Sequence, residues 1–253
     1  MKVKSFKISK LLFVLNLFFI FAILFSSCKK DDDNVGVQID VNGFWIATET
    51  VSDNCSGSVE TETKTEIFSV KQNADKLTIT FYPIDKEMVG TLVGNTIKWN
   101  GTLPTSSGNT TMDFSGTVNS NGTEVTGSAS WTWSSTTFEC SGTTQVDASK
   151  VVAETANFAG DWQGTWQSEE GSYSGTFSVT VIQNDKTLSG KINVPEIGLS
   201  NADLTGEVSG NVVFFGDIEG TIKFVGILDN NSGSGDYAYP DYYDDGSWTA
   251  TKQ

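Results

Sequence analysis

Apolar and polar residues alternate with a period of two along most of this chain. Residues 77–81 read Leu-Thr-Ile-Thr-Phe, and residues 176–181 read Thr-Phe-Ser-Val-Thr-Val. Because successive side chains of a β-strand point to opposite faces, this alternation predicts half-buried strands. Turn-forming pairs such as Gly94-Asn95, Asn121-Gly122 and Gly210-Asn211 separate the alternating stretches. The pattern therefore predicts an all-β protein whose short strands are joined by hairpins.

This arrangement of strands and turns occurs twice. Gly43-Phe44-Trp45 opens the first copy and Gly160-Asp161-Trp162 opens the second. Further matches follow in the same order: residues 68–73 with 179–184, 90–99 with 206–215, 114–118 with 224–228, and Phe138 with Trp248. Internal similarity of this kind indicates repeated structural units. We predict two tandem domains, residues 42–148 and 158–253, joined by a linker at residues 149–157.

The first 27 residues have a different pattern. Four lysines within the first ten residues precede an almost wholly apolar run at residues 11–25. A basic start, an apolar stretch of about 15 residues and small residues before a cleavage point are typical of a secretory signal peptide. A retained transmembrane helix would need about 20 apolar residues. We therefore predict a signal peptide at residues 1–27.

Residues 24–28, Leu-Phe-Ser-Ser-Cys, resemble the lipobox of bacterial lipoproteins, in which the cysteine is acylated and becomes the first residue. The resemblance implies lipidation of Cys28 and a membrane anchor. The acidic segment that follows, Lys-Lys-Asp-Asp-Asp, resembles the tether of Bacteroidota-type surface lipoproteins, and blocks of like charge also stay disordered. We expect a disordered tether at residues 28–41 and an outer-membrane protein exposed at the cell surface, with the periplasmic face as the alternative.

At roughly 8–12 residues per strand and turn, each copy has room for about eight strands. Their simplest closure is an antiparallel up-and-down β-barrel, which leaves no exposed edge. A two-sheet β-sandwich is the alternative. In a closed barrel the first and last strands are neighbours. Since Cys55 follows the first strand and Cys140 lies in the last, we predict a disulfide between them.

The Gly-x-Trp motif at the first strand of such a barrel resembles the lipocalins and avidins, the calycins. In lipocalins an arginine of the last strand covers this tryptophan, but the present chain has no arginine, so that contact must be absent or replaced. The interior of an eight-stranded barrel either just fills with side chains or holds one small ligand. With about 100 residues in each copy, we expect solid barrels with the tryptophans in their cores. The tryptophans are Trp45, Trp99, Trp131, Trp133, Trp162, Trp166 and Trp248.

The composition excludes several kinds of chemistry. The chain contains no histidine and no arginine, which removes the Ser-His-Asp relay, the imidazole metal ligand and the bidentate phosphate clamp. Without residues 1–27 it has 12 lysines against 31 acids, a formal charge of −19, which argues against nucleic-acid binding. We therefore expect no enzyme, no catalytic residue and no cofactor. A carboxylate-pair glycosidase remains the weaker alternative.

Residues 236–246 form the most unusual segment, an acidic and tyrosine-rich loop before the last strand. Its tyrosines are candidate contacts for a ligand, glycan or protein partner: Tyr237, Tyr239, Tyr242 and Tyr243. Its aspartates are weak candidates for Ca²⁺ ligands, since they lack the spacing of an EF-hand loop: Asp236, Asp241, Asp244 and Asp245. The alternative is a solvated hairpin end with tyrosines partly packed on the barrel, and no metal site.

Together these features predict a non-enzymatic lipoprotein that acts as an adhesion or accessory-assembly module with an outer-membrane partner. The alternative is a binding protein for a small apolar ligand or a glycan.

Overall fold

A computed structural model of the protein describes residues 38–253, apart from residues 56, 105–107, 153, 170, 172, 219–221 and 240–243. The side chains of residues 216–218 are also not described. The predicted signal peptide, Cys28 and most of the predicted tether lie outside the described residues. Among the candidate site residues, Asp241, Tyr242 and Tyr243 lie outside them as well.

Sixteen antiparallel strands follow one another along the described residues. The first eight are β1 (Gly43–Asp53), β2 (Glu60–Asn73), β3 (Lys76–Tyr82), β4 (Lys86–Val93), β5 (Thr96–Pro104), β6 (Asn109–Val118), β7 (Glu124–Ser134) and β8 (Glu139–Lys150). The other eight are β9 (Gly160–Ser168), β10 (Ser174–Asn184), β11 (Thr187–Val194), β12 (Leu199–Ser209), β13 (Val212–Ile218), β14 (Ile222–Asp229), β15 (Ser232–Tyr239) and β16 (Asp244–Lys252). A short 3-10 helix, Pro195–Ile197, connects β11 to β12.

Each set of eight strands closes into its own barrel, barrel 1 from β1–β8 and barrel 2 from β9–β16. Strands that are consecutive in the chain pair with each other, and the first strand pairs with the last in both barrels. Closure pairs the strand edges that an open sheet would leave exposed. The prediction of two tandem eight-stranded up-and-down barrels is confirmed, and the sandwich alternative is wrong.

The predicted disulfide is present. Cys55 and Cys140 are bonded, with their Cα atoms 5.0 Å apart. The bond joins the loop after β1 to the beginning of β8, the two strands that closure makes neighbours.

The strand registers correct one of the matches between the two copies. Trp45 lies opposite Lys150, and Trp162 lies opposite Lys252, so the two lysines occupy equivalent positions. Counting back from them, Trp248 corresponds to Val146 and not to Phe138. The match of Phe138 with Trp248 was wrong because β8 has 12 residues and β16 only 9.

Trp45 and Trp162 plug the end at which the chain enters each barrel, here called the closed end. Both side chains are 1% exposed. Each indole Nε1 donates to the carbonyl four residues earlier, to Val41 at 3.0 Å and to Phe158 at 2.9 Å. Val41 is fully buried, so the tether predicted at residues 28–41 ends before this residue.

One glutamine in each barrel holds the entering segment in place. The Gln72 side chain accepts a hydrogen bond from the Val41 backbone N–H at 2.9 Å and donates to the Ile39 carbonyl at 3.0 Å. Gln183 makes the same two bonds to the segment before Trp162, at 2.7 and 3.0 Å. The closed ends of the two barrels are therefore built alike.

A lysine stands where the lipocalin resemblance implies an arginine. Lys252 pairs with Trp162 across the last and first strands, and its Nζ lies 5.8 Å from the centre of the indole ring, within the range of a cation–π interaction. In barrel 1, Lys150 lies opposite Trp45 and donates to the Asp40 carbonyl at 3.3 Å. In each barrel, a lysine of the last strand therefore lies opposite the tryptophan that plugs the closed end.

Side chains fill the interior of both barrels. Trp45, Trp99, Trp162 and Trp248 are at most 7% exposed, and the other three tryptophans are half-buried. Two cavities in barrel 2 measure about 20 and 30 Å³, each with room for about one or two water molecules. The described parts of the barrels are solid rather than hollow.

The two barrels belong to one compact unit, residues 39–253. An apolar cluster joins the outer faces of β1–β3 to those of β13 and β14. Its members are Phe44, Ile46, Ile67, Tyr82 and Val151 on one side, and Val212, Phe214, Val225 and Ile227 on the other. The rings of Tyr82 and Phe214 lie 4.8 Å apart. Beside the cluster, Lys223 forms an ion pair with Asp85.

Both barrels have their open ends on the same side of the molecule. The open end of each barrel is the one opposite its tryptophan plug. Asp85 lies in an open-end turn of barrel 1, between β3 and β4, and Lys223 lies at the open-end start of β14. Because these two residues pair across the interface, the two open ends lie side by side.

Candidate functional site at the open ends

The inner walls of the two open ends use equivalent positions but carry different chemistry. The facing pairs on the first two strands are Glu49–Lys64 and Ala47–Glu66 in barrel 1, and Trp166–Gly175 and Gly164–Phe177 in barrel 2. Directly opposite residues of an antiparallel pair project from the same face. This wall is therefore charged in barrel 1 and aromatic in barrel 2.

Two carboxyl groups and a lysine lie on the inner wall of barrel 1. Glu49 and Glu66 are diagonal neighbours on adjacent strands, and Lys64 is directly opposite Glu49. Burial raises the pKa of Glu66 to about 8; Lys64 opposes this shift, whereas the charge of Glu49 adds to it. Burial also raises the pKa of Glu49. Glu66 therefore carries a proton at neutral pH and is itself a hydrogen-bond donor.

No sequence motif distinguishes Glu49, Lys64 or Glu66 from other charged residues of the chain. Acidic residues near a hairpin end are usually solvated, and the segment before Ile67 reads as a surface strand. The two-residue alternation along β1 and β2 nevertheless indicates which of their side chains face inwards. Glu49 has the same parity as Trp45, and Glu66 has the same parity as Phe68, so both side chains are directed inwards.

A cavity of about 30 Å³ lies inside the open end of barrel 2. Its lining includes Trp166, Phe177, Ile222, Phe224, Tyr237 and Asp244. The Tyr237 hydroxyl donates to Asp244 Oδ2 at 2.9 Å. Burial and the neighbouring carboxylate of Asp244 raise the pKa of Tyr237, so the phenol stays protonated and continues to donate. The cavity is apolar with one polar pair at its edge.

Trp166 and Glu196 converge over Gly175 beside this cavity, and we call these three residues the mouth notch. A Cβ atom on Gly175 would lie 2.7 Å from Trp166 Nε1 and 2.6 Å from Glu196 Oε2. Trp166 Nε1 is buried and donates to no described residue. Because glycine has no Cβ atom, the Trp166 indole and the Glu196 carboxylate can both pack closely against the backbone of Gly175.

Hydrogen bonds fix the Glu196 carboxylate in this position. Its Oε1 accepts from the backbone N–H of Thr176 at 3.0 Å and from the Thr176 hydroxyl at 3.3 Å. Hydrogen bonds from the backbone N–H groups of Glu196 itself and of Thr176 lower the pKa of this carboxyl. Glu196 is therefore ionised, and its Oε2 faces the notch as an acceptor.

The described residues of the acidic, tyrosine-rich loop do not form one cluster. Tyr237 is 4% exposed and Tyr239 packs partly against the core of barrel 2, which matches the alternative of packed tyrosines. Asp244 faces inwards with Tyr237, whereas Asp236 lies on the outer face of β15. Burial raises the pKa of Asp236 and Lys64 of barrel 1 opposes that shift, so Asp236 lies beside the interface between the barrels.

Within the part of the chain that the structure describes, no group of three histidine, cysteine or acidic residues is placed to hold a metal ion. No described helix is long and apolar enough to cross a membrane.

No protein-family model matches the chain, and a search of curated proteins finds no match. Among solved structures, it is similar to a candidate outer membrane protein from Bacteroides fragilis, with 12% identity, coverage of 84% of this chain and 98% of that chain, and a TM-score of 0.29. It is also similar to a candidate AttH protein from Nitrosomonas europaea, with 8% identity, coverage of 83% and 92%, and a TM-score of 0.25. Scores this low indicate neither an activity nor a location.

Proposed function

We propose that this protein is a lipid-anchored lipoprotein of the outer membrane, exposed at the cell surface, that serves as a non-enzymatic adhesion or accessory-assembly module. The observation that carries the proposal is the position at which the chain enters the fold. The Asp40 carbonyl packs against Gly122, in the turn between β6 and β7 at the closed end of barrel 1. A tether from Cys28 would attach there, which leaves both open ends free to face away from the membrane.

Exposed apolar side chains in the open-end loops support contact with a partner. They are Val59 (78% exposed), Ile84 (42%), Phe138 (48%), Tyr173 (71%) and Ile197 (42%). They come from five different connections and from both barrels. Exposed apolar groups gathered on one side of a molecule are typical of interaction surfaces, and loops on a rigid scaffold are where binding residues concentrate.

The solid interiors favour a surface role over the alternative of carrying a small apolar ligand. Ligand sites usually measure several hundred Å³, whereas the two cavities of barrel 2 measure about 20 and 30 Å³. The lack of histidine and arginine in the whole chain supports a role without catalysis.

The location is tested by protease shaving and antibody labelling of intact cells that express the full chain, and the role by chemical crosslinking in the same cells. The open-end variant replaces Val59, Phe138, Tyr173 and Ile197 with serine. The matched control replaces Val89 and Val93, which are 71% and 68% exposed on the outer face of β4, with serine. We expect one discrete crosslinked species in wild type and control and at least a fivefold loss in the open-end variant.

Two results would overturn this proposal. One is a protein that stays unlabelled on intact cells and partitions without a lipid. The other is crosslinking that falls equally in the open-end variant and the control, since the open-end loops would then have no special part in it.

A further inference from the structure

We propose that the open end of barrel 2 binds the side-chain ammonium group of a lysine on a protein partner. The site is the cavity of about 30 Å³ at that open end, here called the ammonium pocket. This inference rests on the proposed function, because it names the chemical group that a partner would present to one of the two open ends. The lining of the pocket includes five aromatic side chains and one carboxylate: Trp166, Phe177, Phe224, Tyr237, Tyr239 and Asp244.

The aromatic rings of the ammonium pocket form adjoining walls rather than one flat stack. The Tyr237 ring centre lies 5.9 Å from that of Trp166, at an interplanar angle of 85°, and 5.8 Å from that of Phe224, at 37°. The Phe177 ring lies 6.3 Å from Phe224, at 47°. A cation within about 6 Å of the centre of an aromatic ring is attracted by the negative face of the ring. Several rings around one small cavity therefore favour a cationic group over a neutral one.

The polar edge of the ammonium pocket consists of hydrogen-bond acceptors. Asp244 Oδ2 accepts a hydrogen bond from the Tyr237 hydroxyl at 2.9 Å, and the phenol oxygen keeps its own capacity to accept. A lysine ammonium has three N–H donors and no acceptor, so it can donate to both groups. The carboxylate also offsets the cost of removing an ammonium group from water. Rings and acceptors together supply what a cation needs in a largely apolar cavity.

The ammonium pocket reaches the surface but admits only a small group. Its walls include Phe224 and Tyr237, which are 8% and 4% exposed. Trp166 and Asp244 are half-buried, and Ile197, which also lines the cavity, is 42% exposed. A volume of about 30 Å³ has room for one or two water-sized groups, which suits the terminal CH₂–NH₃⁺ of a lysine. The planar guanidinium group of arginine is larger.

The surroundings of the ammonium pocket are negatively charged. Glu196, whose carboxyl pKa is lowered by backbone hydrogen bonds, packs with the Trp166 indole over Gly175. Glu169 lies in the connection that follows β9. The chain after residue 27 carries a formal charge of −19. A field of this sign attracts a basic partner and raises its rate of association.

Barrel 1 has a cation of its own on the corresponding wall, whereas barrel 2 does not. Lys64 lies directly opposite Glu49 on the inner wall of barrel 1. Gly175 and Trp166 are at the equivalent positions of barrel 2. The described lysines of barrel 2 lie away from the pocket, at the closed end or in ion pairs on the outer face: Lys186, Lys191, Lys223 and Lys252. We therefore expect one binding site per chain, in barrel 2.

The experiment titrates the purified full chain, in detergent and with its disulfide intact, with four short peptides that differ only in their central residue. That residue is lysine, Nε-acetyl-lysine, norleucine or arginine, between glycines with blocked ends. The tryptophan indole N–H signals in NMR spectra report binding. We expect the lysine peptide to bind saturably at one site and to shift the signal of Trp166 but not that of Trp131. Each of the other three peptides should bind at least tenfold more weakly, because it lacks the charge or exceeds the space.

Two isosteric variants test the carboxylate. Asp244→Asn keeps the size of the side chain and an acceptor for the Tyr237 hydroxyl but removes the charge. We expect about a tenfold loss of affinity for the lysine peptide, because a charge-assisted hydrogen bond becomes a neutral one. Asp245→Asn is the matched control, since Asp245 is the next residue of β16 and lies opposite Ala238 on the outer face. It removes the same charge and should stay within twofold of wild type.

A second pair of variants tests the aromatic wall. Trp166→Leu keeps an apolar side chain but removes the ring, and we expect about a fivefold loss of affinity for the lysine peptide because one cation–π contact is lost. Trp131→Leu removes a half-buried indole from barrel 1, where it donates to Thr144 at 3.1 Å, and should bind the peptide as wild type does. If Trp166→Leu does not fold, the comparison of Asp244→Asn with Asp245→Asn still decides.

Several results would overturn the ammonium pocket. They are the absence of binding by the lysine peptide, binding of the norleucine, acetylated or arginine peptide as tight as that of the lysine peptide, and equal losses in Asp244→Asn and Asp245→Asn. Equal losses would mean that the acidic surface as a whole attracts the peptide. The crosslinked species of the proposed function can form through the exposed open-end loops alone, so failure of the pocket would leave that proposal standing. Lysine binding by the purified chain, in turn, does not depend on where the protein is located in the cell.

Discussion

The two barrels of this protein are nearly identical at their closed ends and differ at their open ends. At the closed ends, a buried tryptophan, a glutamine and a last-strand lysine recur at equivalent positions. At the open ends, Glu66 of barrel 1 corresponds to Phe177 of barrel 2, and only barrel 1 has a disulfide. The comparison shows that the closed end specifies the barrel, while the open end is free to carry different chemistry.

The disulfide should account for the largest difference between the two barrels. In a Cys55→Ser/Cys140→Ser variant we expect barrel 1 to lose about 2–4 kcal/mol of unfolding free energy, because the bond closes a loop of 85 residues in the unfolded chain. Hydrogen exchange followed by mass spectrometry, read separately for peptides of each barrel, measures this. Barrel 2 is the internal control, and equal losses of protection in both barrels would contradict a bond that acts on barrel 1 alone.

Glu66 should make the stability of barrel 1 depend on pH in the neutral range. Its pKa is about 8 in the folded protein against an ordinary value of 4.5. Between these values the folded state binds a proton that the unfolded state has lost, so stability falls as pH rises from about 4.5 to about 8 and then levels off. We expect Glu66→Gln to remove this fall. At pH 9 its free energy of unfolding, measured by urea denaturation, should exceed that of wild type by about 2–3 kcal/mol.

The charged groups that affect the pKa of Glu66 are Lys64 and Glu49 of its own barrel and Asp236 of barrel 2. The matched control is Glu62→Gln, an exposed change on the same strand, which should leave the pH profile as in wild type. A profile that is flat in wild type, or that Glu62→Gln alters as much as Glu66→Gln, would show that Glu66 is not the titrating group.

Removing the glutamines tests whether the closed ends are equivalent. Gln72→Ala and Gln183→Ala each delete two hydrogen bonds to the entering segment and leave a buried backbone N–H without its partner. We expect each to cost its own barrel about 2 kcal/mol, with exchange rising first at the tryptophan plug. If only one of the two variants lost stability, the closed ends would share the same geometry, but the glutamine would stabilise only one of the barrels.

Much of the fold could be predicted because strands carry their own pattern. The alternation along β3 and β10, the recurring turn pairs and the two Gly-x-Trp motifs together predicted two closed barrels. The disulfide followed from the order of the strands, since closure makes β1 and β8 neighbours. These inferences needed only local periodicity and the rule that consecutive strands pair.

The candidate site was predicted less well, because its residues are far apart in the sequence and become neighbours only when the strands close into a barrel. Trp166 and Glu196 are 30 residues apart in sequence, and nothing near either residue indicates that they converge over Gly175. The composition of the acidic, tyrosine-rich loop indicated candidate contacts for a ligand or partner. Its described tyrosines instead lie in or against the core of barrel 2. Ile67 and Tyr82 pack against the second barrel, and no local sequence pattern indicates that contact.

By itself the sequence determined the strands and the duplication, and it favoured closed barrels over sandwiches and the pairing of Cys55 with Cys140, because these follow from local alternation and chain order. Only the tertiary structure decided that Val41 belongs to barrel 1, that the barrels share one apolar interface, and that their open ends lie on one side. Those properties depend on which faces of distant strands come into contact. These contacts are determined by packing between strands that are far apart in the sequence, and the local alternation of residues does not indicate them.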